Sequence, residues 1–276
     1  MQAYSQPSPT PTKQEIYRTI ATPHPSCVGR LAWIVTALFI ACIHSGMADE
    51  RAEKLADLNI PGIKIHAKEG YIDIDARVAL TEGALEFIAC TKDTKEHESV
   101  IVVDAKPLHI HTALLLIGAE AGHPAMSKPI GEEKNRWIHL PPRGDKIHVS
   151  LVVKDKEGKQ VERPISEFLE PSADPYDEYL DESEKEEKPA PFPTNEFIFA
   201  GSHLIEEEGQ PKRYLAEASG HVISISTFGD EVLCLPGIHA HANEHLAWQV
   251  NDTHLPALNE KVTLRLKPVR DEDKEK

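Results

Sequence analysis

Two short apolar runs only nine residues apart, LEFIAC at 85–90 and VIVV at 100–103, constrain this chain more than any other feature. Each has strand length, and the second is apolar at every position, as a strand covered on both faces would be. The polar link from Thr91 to Lys95 has hairpin length, so the runs are expected to pair as a buried antiparallel hairpin. Cys90 and His97 would then leave and re-enter the sheet close together, with Glu96 and Glu98 beside the imidazole.

A thiol, an imidazole and a carboxylate at one sheet end could form a nucleophile pair, because a neighbouring base converts the thiol to thiolate. Cys90, His97 and Glu98 are therefore the candidate catalytic residues. The competing account is structural: a Cys among Ile88, Ala89 and an apolar partner strand is a small buried hydrophobe, and the His belongs to the turn.

The run LEFIAC, then KEHESVIVV, PLHIHTALLLIGAEAG and FIFAGSHL, resembles the YdjY-type domain of exported bacterial proteins, a family of unassigned molecular function. The resemblance spans about Gly62 to Val269 and rests on Cys90, Lys95, His97, Glu98 and Ser99, followed by Leu108 and His109. Some family members carry a ferredoxin-like label. An iron–sulfur cluster needs about four Cys thiolates, and this chain does not supply them.

Residues 31–43 (LAWIVTALFIACI) form an apolar run behind Arg30, followed by small residues at Gly46 and Ala48. This is the layout of a secretory signal cut after Ala48. Lipidation of Cys42 and an uncut membrane anchor over 31–47 are the alternatives, and each leaves the rest of the chain outside the cytoplasm. Past residue 48 the chain holds 27 basic against 44 acidic residues, a formal charge of −17. That balance argues against nucleic acid as a partner, since phosphates need clustered Lys and Arg. Membrane contact is expected only through the N-terminal segment. Of four cysteines, Cys27 and Cys42 precede the cut. Export makes a Cys90–Cys234 disulfide chemically allowed, and two separate buried thiols are the other option.

Residues 49–61 read as a linker or short helix, and 63–67 with 71–76 as a hairpin with one buried face. Pro107 starts a buried helix that stops at Gly118; His109 and His111, two apart on it, point away from each other and cannot serve one ion. Strands are expected at 146–153, 196–200, 214–218, 221–226 and 262–266, with one helical turn at 164–169. Residues 170–193 hold nine acids and five prolines with almost no aliphatics, an acidic insertion expected to be disordered. The expected fold is α+β: β-rich, mostly antiparallel sheet or sheets with one buried helix. Its two halves, 62–169 and 194–269, flank the insertion, and 270–276 is a charged tail.

The densest histidine cluster is GIHAHANEH at 237–245. In an extended segment His239 and His241 share a side, and Glu244 or His245 could close a site for zinc or another divalent ion. A polar loop explains the same residues without an ion. No phosphate loop, dinucleotide fingerprint, serine elbow or HExxH motif is present, so no cofactor is expected. The leading expectation is a non-catalytic envelope module that binds a protein, cell-wall component or small molecule. The alternative is a metal-dependent or thiol-dependent enzyme built on one of the two clusters.

Overall fold

Alternating apolar and polar side chains produce the expected first hairpin, β1 (Ile63–His66) with β2 (Tyr71–Val78), in which Ile65 lies opposite Ile72 and Ile63 opposite Ile74. The computed structural model describes residues 50, 52–131, 136–172, 191–206, 209, 211–239 and 248–270. The expected leader over 1–48, the tail over 271–276 and the middle of the acidic insertion, 173–190, lie outside the described residues.

Eight further strands complete the main sheet: β3 (Phe87–Thr91), β4 (Ser99–Val103), β5 (Lys146–Lys154), β6 (Gln160–Pro164), β7 (Glu196–Phe199), β8 (His221–Ser224), β9 (Leu233–Cys234) and β10 (Lys261–Pro268). Their order is β2, β10, β5, β7, β9, β8, β3, β4 and back to β2, so the expected β-rich sheet closes on itself as an eight-stranded barrel. Closure depends on β2 sharing one edge between two partners: its first half pairs with β1, and Ala76–Val78 pair with β4. Ile72, Ile74, Val149, Leu151, Leu264 and Leu266 belong to one continuous core. A barrel of this size is just wide enough to be filled by side chains.

The central hairpin is corrected. β3 and β4 are adjacent but parallel, with Phe87 opposite Ser99 and Cys90 opposite Val102. A link of this length is long enough to run back along a five-residue strand, whose span is roughly 17 Å. It ends in a 3-10 turn at Glu96–Glu98. With β8 also paired parallel to β9, two of the eight barrel contacts are parallel and the rest antiparallel. Mostly antiparallel pairing therefore stands.

Helix α1 (Pro107–Leu116) starts at its proline and buries Ile110, Ala113 and Leu114 against β1, β2 and a second helix. That second helix, α2 (Leu215–Ser219), replaces the strand expected at 214–218 and ends at Gly220 in the left-handed conformation. All four residues of β8 are buried instead of alternating, because its outer face is covered as well. A separate two-stranded ribbon, Met126–Ile130 with Arg136–Leu140, was not anticipated. Both ends of the acidic insertion belong to the fold: Leu169–Pro171 pairs with Trp248–Val250, and Phe192 is buried edge-on against Trp248 at 4.9 Å. Among the described residues no helix is long and apolar enough to cross a membrane.

Candidate functional site

The link between β3 and β4 is held by its own side chains. Thr94 Oγ1 donates to the Thr91 carbonyl at 2.6 Å, Ser99 Oγ to the Lys95 carbonyl at 2.7 Å, and the Glu96 carboxylate accepts the backbone N–H of Asp93 and of Thr94. Cys90 is fully buried beneath this link. Burial pushes its thiol up, opposed by hydrogen bonding to Ser99, Lys95 and Thr94. His97 lies on the outside, 69% exposed, with Nε2 2.7 Å from Glu98 Oε1. The fold therefore pairs His97 with Glu98, while the groups hydrogen-bonded to the buried Cys90 are Ser99, Lys95 and Thr94. Cys234 is also a free, buried thiol. β8 runs between the two cysteines, pairing His221 with Cys90 and Ser224 with Cys234, which decides the disulfide question for separate thiols.

Glu98 has a second partner that the spacing did not reveal. Glu86 is only 7% exposed. Burial, then the hydrogen bond and charge of Glu98, push its carboxyl up to about 7. Burial alone would raise Glu98 too, but the hydrogen bond from Glu86 and the charges of Lys95 and His97 hold it below the ordinary range. Glu98 Oε2 is itself sealed from solvent, so a proton on Glu86 and a charge on Glu98 favour each other.

A polar seam joins the remaining motif stretches. His111 Nδ1 lies 2.8 Å from the Tyr214 hydroxyl, which donates to the Gly201 carbonyl at 2.9 Å. Ser202, at a left-handed φ of 50°, donates its hydroxyl to the Asp230 carbonyl and accepts the Ala216 N–H at 3.1 Å. The Asp230 carboxylate holds His221 Nδ1 at 2.6 Å, and the imidazole packs against Phe87 and Phe228 with centroids 4.7 and 4.8 Å away. Burial would raise Asp230, yet the hydrogen bond and charge of His221 keep it low. Fully buried Glu231 accepts the N–H groups of Gly229 and Asp230 on one oxygen, and burial pushes its carboxyl up. A carboxylate-oriented imidazole is half of a base-catalysed site. Among the described residues no Ser or Cys nucleophile is hydrogen-bonded to it.

Beside this seam lies a recess of about 590 Å³ lined by Met126, Ser127, His139, Phe228, Ile238 and His239, among others. His239 is the member of the expected metal cluster that falls within the described residues; His241, Glu244 and His245 lie outside them. Among the described residues no three His, Cys, Asp or Glu side chains converge to hold a metal. A mixed-charge groove of about 550 Å³ on the outer face of β2, β10 and β5 carries Asp75, Arg77, Asp104, Lys154 and Lys261. Within it, Arg77 is already paired with Asp104 at 3.0 Å.

The reading of the sequence missed Glu86, His139, His221, Asp230 and Trp137. Glu86 sits in an apolar run where period-two alternation places it outward, and His221 and Asp230 meet only through the turn after β8. Trp137, 59% exposed on the unanticipated ribbon, carried a signal in being a lone aromatic in a polar stretch. Compared with known families, residues 63–267 match the family model described as the YdjY domain. No curated protein and no solved structure matches the chain.

Proposed function

We propose, from the premise that this chain belongs to the YdjY domain family, that it is an exported envelope protein acting as a non-catalytic binding module. The observation that carries this reading is the ribbon Met126–Ile130 with Arg136–Leu140, which pairs with no strand of the barrel and holds Trp137 at 59% and Ile138 at 38% exposure. Exposed aromatic and aliphatic side chains beside a recess are what binding surfaces use as anchors. The burial of Cys90 and the exposure of His97, which is paired with Glu98, support the same reading over a thiol-dependent enzyme. The ligand class is a protein, a cell-wall component or a small molecule of the envelope.

Retention of the purified chain on envelope fractions of its source, separated into cell wall and membrane, tests this. Trp137→Ala with Ile138→Ala should lower retention at least about tenfold with an unchanged melting temperature, since a buried anchor is worth about 2 kcal/mol or more. Cys90 should alkylate slowly in the folded chain, at a rate that His97→Ala does not alter. Unchanged retention, or rapid alkylation that depends on His97, would return the thiol-dependent reading.

A further inference from the structure

The 590 Å³ recess contains two imidazoles from distant parts of the chain, His139 on the ribbon and His239 after β9. Each has one ring nitrogen engaged. His239 Nε2 lies 2.9 Å from the Pro236 carbonyl, an oxygen that can only accept, so the proton sits on Nε2, and Nδ1 has no partner among the described residues. His139 Nδ1 lies 2.9 Å from Ser127 Oγ, and its Nε2 has no partner among the described residues. A ring N–H tied to a backbone carbonyl or a hydroxyl, with the opposite nitrogen left open, is the arrangement that orients imidazoles toward a metal. The backbone of His239 is itself fixed by exchange with Thr227: its N–H donates to Thr227 Oγ1 at 2.8 Å, and its carbonyl accepts the Thr227 N–H at 3.0 Å. Thr227 lines the same recess.

We infer that His139 and His239 form a two-histidine site for one borderline divalent transition ion, with zinc, copper(II) and nickel(II) as the class. Imidazole nitrogens suit these ions, whereas magnesium and calcium require oxygen ligands. With two protein donors, water fills the remaining positions, so the ion exchanges freely and stays open to a further ligand. The site goes beyond the envelope-binding reading and does not depend on it: ion binding is measured on the isolated chain, and envelope retention in the presence of a chelator.

Titration calorimetry of the full chain with zinc alone should give one ion per chain. His139→Ala and His239→Ala should each weaken binding about tenfold or more without changing the melting temperature, because both side chains are exposed. Copper(II) should quench Trp137, which shares a ribbon face with His139, and Trp137→Phe should remove the quenching while leaving calorimetric binding intact. Full affinity in either histidine variant would overturn the site, as would equal affinity for magnesium.

Discussion

At the scale of single residues, the Glu86–Glu98 pair makes folding depend on pH near neutrality. In the unfolded chain a Glu carboxyl ionises near its ordinary 4.5, whereas Glu86 in the fold keeps its proton to about 7. Between these values the unfolded state binds fewer protons, so stability falls as pH rises and levels off above about 7. Glu98 acts oppositely in more acidic solution, because its folded-state value is lowered and its contribution is lost as pH falls. Glu86→Gln, which keeps a donor toward the Glu98 carboxylate at every pH, should remove the decline between pH 5 and 7. Thermal melts across that range check this, with an expected difference of a few degrees at about 2–4 °C per kcal/mol. A variant that declines as steeply as the parent would show that the proton is held elsewhere. Little of this pair was legible beforehand, since Glu86 and Glu98 are twelve positions apart and meet only because β3 and β4 run parallel.

At the scale of elements, the motif FIFAGSHL has a physical reason in the packing of Gly201. Its φ is +85°, and a Cβ there would lie 2.9 Å from Ala121 Cβ and 3.0 Å from His111 Cε1. Gly201→Ala should therefore cost about 2 kcal/mol or more, from left-handed strain plus the displaced imidazole, as read by denaturant unfolding. Tyr214→Phe is the companion. It leaves the backbone alone and removes the hydroxyl between His111 and the Gly201 carbonyl, at an expected cost of about 1 kcal/mol. The strands themselves were readable wherever one face met water, as in β2 and β10, because alternation records which side is buried. It failed at β8, where both faces are covered, and at 214–218, where five residues carry too little periodicity to separate strand from helical turn. The direction of β4 was not readable at all, because a polar link of this length fits a hairpin and a parallel return equally well.

For the whole molecule, the acidic insertion and the fold meet at identifiable residues. Phe192 packs between Phe197 and Trp248, with centroid separations of 6.4 and 4.9 Å. Glu170 accepts a hydrogen bond from the Gln249 side chain at 2.8 Å. Replacing 173–190 with a short Gly/Ser linker should leave the melting temperature nearly unchanged, because loop length adds only a slowly growing entropy term. Phe192→Ala should instead cost about 3 kcal/mol. Calorimetric melts of the two variants separate these outcomes, and a large loss from the linker replacement would place structural contacts inside 173–190. Composition reads 170–193 as one acidic break in the apolar pattern, yet Pro171 and Phe192 at its margins belong to the fold, which residue counting does not register because it records neighbours and not contacts.

Barrel closure also governs how the chain can acquire its structure in time. The last strand, β10, fills the gap between β2 and β5, pairing Leu264 with both Ile74 and Leu151. Until it is in place, β2 and β5 both face each other with open edges. Pairings between residues about 190 positions apart must form before the core is sealed, and such non-local contacts slow folding to the millisecond-to-second range or beyond. A chain ending at residue 260 is expected to collapse without a cooperative unfolding transition, and to aggregate through those edges. For a chain that emerges N-terminus first, the barrel cannot seal until residues 261–268 have been made.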